Sequence, residues 1–237
     1  ILGDEMGLGK TAQSVSMLQC VRQLHNAHGP LLIVVPLSTL PHWVRELGEW
    51  TTLDAVVFYG NKEARSIILK HEYTPLPPVE PPGGGGGARA YKAGKKGGGG
   101  SSKPGPPQPK FDVCVTTYEM LTANPEAFNK VKWEYMIVDE AHRLKNRDAK
   151  ALGALRELTC PVKLALTGTP LQNHVSELWS MLNFLEPAKF DDLDAFMVTY
   201  GDMQSATQVK ALTDCLRPYL LRRTKGDVDL GLTPMEE

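Results

Sequence analysis

Cysteine is scarce and scattered in this chain. Cys20, Cys114, Cys160 and Cys215 form no Cys-x-x-Cys pair, which excludes a disulfide framework and a zinc-ribbon spacing and fits a reducing compartment. They read as small apolar core residues. An excess of charge of one sign is missing too: 26 Lys and Arg face 27 Asp and Glu, for a formal net charge of −1. The chain as a whole is therefore not drawn to nucleic acid, and any such contact must come from a local patch. No apolar run approaches the roughly 20 residues that cross a bilayer, so no membrane partner is expected. Aromatics make up only 7% of the residues, yet 42% of the 237 residues are hydrophobic, enough to build a substantial core.

The apolar residues fall into two patterns. LLIVV at 31–35, AVVF at 55–58, Val113 with Val115, YMIV at 135–138 and Leu164 to Leu166 are short continuous runs, as expected of parallel strands buried on both faces. Between and after them come helix-period sets: Trp43, Leu47 and Trp50; Val175, Leu178, Trp179 and Leu182; and Val209, Leu212 and Leu216. Strand alternating with helix predicts an open α/β fold with a mostly parallel sheet, whose ligands sit at the carboxyl ends of the strands. The pattern breaks over 74–110, where Gly83 to Gly87, Gly97 to Gly100 and many prolines leave almost nothing to bury. This insertion is expected to be disordered. With Arg89, Lys92, Lys95, Lys96 and Lys103 and no acid after Glu80, it is either a plain spacer or a basic arm that touches DNA.

Three segments carry chemistry. In DEMGLGKT (Asp4, Glu5, Met6, Gly7, Leu8, Gly9, Lys10, Thr11), the glycines let the backbone aim its N–H groups at phosphate oxygens. A following helix adds its dipole, Lys10 can reach the outer phosphates and Thr11 can ligate Mg²⁺. The GxxxxGK[ST] pattern asks for glycine where Asp4 stands, so by itself the segment is either a phosphate loop or a glycine-rich surface turn. YMIVDEAH, Tyr135 to His142, ends a strand on two acids. There Asp139 is placed to hold Mg²⁺ and Glu140 to orient an attacking water. LTGTPLQN, Leu166 to Asn173, is by itself a turn with Asn173 available to cap a helix near Val175.

Taken together, in this order and spacing, the segments resemble motifs I, II and III of superfamily-two helicases of the Swi/Snf chromatin-remodeller type, in which DEMGLGKT is the usual phosphate loop. VVPLSTLPHWVREL, TTYEM, DEAHRLKN and LRPYLLRRTKGDV extend the resemblance over nearly the whole chain outside the insertion. PLSTLPHW, ELWSMLNFLEP and YGDMQSATQVKALTDCLRPYLLRR are most similar to the chromodomain-helicase-DNA-binding family and its Kismet-like branch. The resemblance implies a RecA-like P-loop lobe that uses ATP and Mg²⁺, acts on double-stranded DNA and nucleosomes in the nucleus, and works with a second RecA-like lobe. It implies that His142 and Thr167, Gly168 and Thr169 link nucleotide state to DNA grip, and that Ser38, Thr116 and Thr117 contact the phosphate backbone. Arg222 and Arg223 are left between a DNA-facing, a hinge and a surface ion-pair role.

The lobe is expected over 1–186 and a helical exit toward the second lobe over 187–237. Only Ile1 and Leu2 precede the phosphate loop, so most of its strand is expected to lie outside the chain, which alone is expected to be nearly inactive. Two other readings stand beside this one: an RNA helicase lobe, which DEAH permits but TGTPLQN does not favour, and a non-catalytic ATP-binding or scaffold module.

Overall fold

A computed structural model describes residues 1–25, 29–73, 109–144, 149–168, 175–201 and 206–228. Nearly all of the 74–110 insertion, together with Thr169 and Asn173, lies outside these described residues. Each expected strand forms: β1 (Leu31–Val35), β2 (Ala55–Phe58), β3 (Val113–Thr117), β4 (Tyr135–Val138) and β5 (Val162–Ala165). They make one sheet in the order β2-β3-β1-β4-β5, and every pairing is parallel.

Helices cover the sheet on both sides, which explains the unbroken apolar runs. Along β1, Leu32 and Val34 join one buried cluster while Leu31, Ile33 and Val35 join the other, as the two-residue period of a strand requires. The edges depart from the expectation of burial on both faces. Ala55 at the start of β2 is exposed, and Val162 at the start of β5 is 43% exposed, because both lie where cover on the sheet thins out. The last strand also begins earlier than expected, and Leu166 pairs beyond it.

Among the described residues the α-helices are α1 (Lys10–His25), α2 (Leu40–Trp50), α3 (Lys62–His71), α4 (Tyr118–Ala123), α5 (Pro125–Asn129), α6 (Ala149–Glu157), α7 (Val175–Leu185), α8 (Leu193–Tyr200) and α9 (Ala206–Leu216), with 3₁₀ turns at Ala141–Leu144 and Lys225–Asp227. In α2, Pro41 sits in the first turn, where its missing N–H costs nothing. Leu40, Trp43 and Leu47, three and four residues apart, form the buried stripe. Trp50, expected on that stripe, is 56% exposed, being the last residue of the helix. In α7, Val175, Leu178 and Leu182 are buried as expected. In α9, Leu212 and Leu216 are buried but Val209 is exposed.

The carboxyl ends of β1, β4 and β5 are stitched together by backbone. Asp139 N–H donates to Val34 O at 2.9 Å, Leu166 N–H to Val138 O at 2.8 Å, and Thr167 N–H to Leu2 O at 3.1 Å. Leu2 pairs in parallel with Leu166 on one side and Leu221 on the other. Of the 187–237 stretch, expected to be helical, the described residues form α8, a short 3₁₀ turn at Lys225–Asp227 and, ending at Leu216, α9. After it, Leu221 N–H donates to Ile1 O at 2.9 Å and Gly3 N–H to Leu221 O at 2.8 Å. The sheet thus continues past β5 through the entry to the phosphate loop and into the segment after α9.

Candidate functional site

Residues 4–11 leave this edge of the sheet and turn into α1. The turn needs Gly7 at φ 91° and Gly9 at φ 73°, a conformation that side chains resist, and successive backbone N–H groups so placed form an anion-binding concavity. Lys10 opens the helix, and its ammonium donates to Asp4 O at 2.8 Å and Glu5 O at 3.4 Å, so it rests on the carbonyls of its own loop. Met6, Gly7, Gly9, Lys10 and Thr11 line a cleft of about 330 Å³ whose far wall carries Asp139 and Glu140. The cleft brings the first two sequence segments together. Asp4, Glu5 and Leu8, expected to face the nucleotide with them, do not line it. Asp4 is fully buried and turned to Arg223 and Gln13, Glu5 accepts the Lys225 N–H at 2.8 Å, and Leu8 O accepts from the Gln13 amide at 2.8 Å.

Asp139 is fixed through both carboxylate oxygens and its carbonyl. The indole N–H of buried Trp43 donates to Oδ2 at 2.8 Å, the Glu140 N–H donates to Oδ1 at 2.9 Å, and the Tyr118 hydroxyl donates to the carbonyl at 2.5 Å. Burial pushes the Asp139 carboxyl above the usual carboxylate range; the Trp43 bond and the Lys10 charge pull the other way. Such a carboxylate gains from a cation. Glu140 follows with a positive φ of 51°, a left-handed conformation that costs a side-chain-bearing residue roughly 1–2 kcal/mol. Its Oε2 lies 3.1 Å from His142 Nδ1, and the hydrogen bond from His142, ahead of burial acting in the opposite sense, keeps the Glu140 carboxyl below its ordinary value.

The third segment joins through the same imidazole. Thr167 is fully buried with its hydroxyl 3.4 Å from His142 Nδ1. At Gly168 a Cβ would meet Met6 Cγ at 2.8 Å and Lys10 Nζ at 3.4 Å, so this segment passes close to the phosphate loop and a side chain there would have to displace Met6. Sequence reasoning missed Thr39, His42 and Glu46, which bring α2 to the cleft wall, and it read Trp43 as core alone. A tryptophan in a helical stripe gives no sign that its N–H reaches an acid 96 residues away.

The residues expected at a nucleic-acid backbone divide. Ser38 is exposed in the turn after β1. Thr116 and Thr117 are fully buried: Thr116 donates to Phe58 O at 2.9 Å, and the Thr117 hydroxyl caps α4 by accepting the Met120 N–H at 3.3 Å. Their hydroxyls are committed inside the lobe, where a strand-end threonine best serves as a helix cap. Arg223, left open between roles, pairs with buried Asp4. A larger groove of about 540 Å³ runs along Ile1, Leu2, Met17, Leu164 and Leu221, but neither Lys10 nor the two strand-end acids line it.

Comparison with known proteins agrees with this arrangement. The sequence pattern described as "SNF2-related domain" matches residues 1–237. Human chromodomain-helicase-DNA-binding protein 6 is 41% identical over 237 residues, and human chromodomain-helicase-DNA-binding protein 8 is 40% identical over the same length. The chain is covered in full in both matches and spans 8% of the length of these relatives. Among solved structures, the Sulfolobus solfataricus SWI2/SNF2 ATPase core in complex with dsDNA superposes with a TM-score of 0.71 at 28% identity, covering 94% of this chain and 40% of that one. With the family pattern spanning every residue and the glycine loop, strand-end acids and Thr-Gly segment converging as described, the chain belongs to the SNF2-related domain family.

Proposed function

We propose that this chain is the ATP-binding lobe of an ATP-dependent translocase on double-stranded DNA that remodels nucleosomes. The observation that carries the reading is one cleft shared by Lys10 and Thr11 with Asp139 and Glu140. Lys10 leaves its own loop carbonyls for the outer phosphates, while the N–H groups around Gly7 and Gly9 and the start of α1 cradle them. The Thr11 hydroxyl and the Asp139 carboxylate are hard oxygen donors on facing walls, a set that suits Mg²⁺, which takes one or two protein ligands and fills the rest with phosphate and water. Bound there, the ion would neutralise charge on the phosphates.

Glu140 orients the attacking water and accepts its proton, for which it must be ionised. The hydrogen bond from His142 favours that state. His142 touches both Glu140 and Thr167, so a change at the water-binding acid reaches the third segment through one ring. Thr169, assigned to the same coupling, lies outside the described residues. Ser38 is the side chain we assign to the DNA backbone; Thr116 and Thr117, buried inside the lobe, are not assigned to it. The relatives named chromodomain-helicase-DNA-binding proteins, and the solved ATPase core in complex with dsDNA, support nucleosomal DNA as partner, a nuclear location, and a second RecA-like lobe completing the machine.

Glu140→Gln separates binding from chemistry. The variant should bind MgATP as the wild type does, while DNA-stimulated phosphate release by the two-lobed protein falls by about 10² to 10⁴, the usual worth of a general base. Undiminished release removes Glu140 from the chemistry. Trp43 offers a finer test. Truncation to Ala would cost about 3–5 kcal/mol of packing, but Trp43→Phe largely keeps the core and deletes the N–H to Asp139. MgATP affinity should fall about tenfold while affinity for ATP in the presence of a chelator stays unchanged, a difference of about 1.4 kcal/mol confined to the Mg²⁺-dependent part. A Mg²⁺-independent loss would make Trp43 a packing residue only.

A further inference from the structure

The segment after α9 lies against the phosphate loop more closely than a connecting stretch requires. Leu221 and Arg223 continue the sheet beside residues 1–5: Glu5 N–H donates to Arg223 O at 2.9 Å, and Gly3 N–H to Leu221 O at 2.8 Å. From that frame the Arg223 guanidinium grips the Asp4 carboxylate, its Nε 3.1 Å from each oxygen, and donates to the Gln13 side-chain oxygen Oε1 at 2.5 Å on the first turn of α1. Arg223 N–H adds a further bond to Asp4 Oδ1 at 3.0 Å, and the Gln13 amide returns one to Asp4 Oδ2 at 3.3 Å. The Asp4 carboxylate has no exposed surface. Arg223 and Gln13 are what satisfy it there, and a buried acid stripped of its partner is costly.

We propose that Arg223 is a positioning residue of the nucleotide site: through Asp4 and Gln13 it fixes both ends of the phosphate loop, and in doing so ties the segment that leads out of the lobe to the presence of nucleotide. The geometry makes the link two-way. Asp4 O is also the main resting place of the Lys10 ammonium, so the residue that holds Arg223 by its side chain holds Lys10 by its backbone. When Lys10 turns to phosphate, the loop is braced by the ligand instead of by its own carbonyl, and the segment at 221–225 docks on a more rigid partner. By linkage, whatever frees Arg223 weakens nucleotide binding to the same degree that nucleotide binding orders the segment. The inference rests on the nucleotide assignment made above.

The test uses the 237-residue chain and MgADP. Arg223→Ala should weaken binding about tenfold, or about 1.4 kcal/mol. Arg223→Lys, which keeps a charge but not the fork, should recover part of it. Asp4→Asn should weaken binding similarly, and the double variant Asp4→Asn with Arg223→Ala should be little worse than either alone, because both act through one contact. In the wild type, MgADP should slow hydrogen exchange at the amides of Gly3, Glu5 and Leu221. That readout needs no variant and is indifferent to misfolding. Equal MgADP affinity in wild type and Arg223→Ala, or unchanged exchange at these amides on saturation, overturns the proposal and leaves the nucleotide assignment intact. Absence of MgADP binding by the wild type overturns both.

Discussion

Lys10→Ala should lower the affinity of the chain for MgATP by at least about 100-fold. Among the described residues that line the cleft, Lys10 is the sole Lys or Arg, so its loss leaves a polyanion facing Glu46, Asp139 and Glu140 with little beyond backbone N–H groups to offset them. Removing one partner of a desolvated, hydrogen-bonded charge pair costs about 2–5 kcal/mol, and 100-fold is about 2.7 kcal/mol. In the free chain the same ammonium spans Asp4 O and Glu5 O. The loop is therefore also loosened, and both effects run in one direction. Calorimetric titration of the variant against the wild type measures the loss, with thermal unfolding as the check that the sheet is intact. Equal affinities would sink the assignment of Lys10 to the phosphates.

The 237-residue chain by itself should release phosphate at a negligible rate, and joining it to a second lobe that supplies an arginine should raise turnover by about 10³ to 10⁵. As phosphoryl transfer proceeds, charge spreads over the equatorial oxygens, and catalysis consists chiefly of placing positive groups around them. Arg223 is turned to Asp4 and does not line the cleft. One lysine faces the nucleotide and the opposite wall is acidic. Phosphate-release assays of the chain alone, with and without duplex DNA, and of the two-lobed protein compare the states. Robust DNA-stimulated turnover by the chain alone that vanishes in Glu140→Gln would show a complete site here.

The strands were legible because each is a continuous apolar run, and a run of that length bounded by polar residues has few other uses. The sheet's two layers of cover follow from the same runs, as Leu32 and Val34 against Leu31, Ile33 and Val35 illustrate. The pairing of the phosphate loop with the strand-end acids was legible too, since both lie at carboxyl ends of parallel strands, where such sheets open. Contacts that depend on the direction of a single side chain were not legible. The Trp43 N–H on Asp139, the Thr117 cap on α4 and the Arg223 fork on Asp4 each need a side-chain direction that periodicity does not encode. The extended crossing after α9 was not legible either, because its apolar residues, Tyr219, Leu220 and Leu221, are too few to display a period. They follow Pro218, and Leu221 bridges to Leu2 at the opposite end of the chain.

The central claim is that the phosphate loop and the acid at the end of β4 share one Mg²⁺-bound nucleotide. It is tested most directly by titrating ATP into the 237-residue chain and its Asp139→Ala variant, each with Mg²⁺ and with a chelator in its place. The account predicts that Mg²⁺ tightens binding to the wild type by about tenfold or more, on the order of 1.4 kcal/mol, and that Asp139→Ala erases this gain. In the chelated state the variant should bind ATP at least as well as the wild type, because a buried acid facing the phosphates has been removed. Wild-type binding that ignores Mg²⁺, or a Mg²⁺ gain that survives in Asp139→Ala, would contradict it.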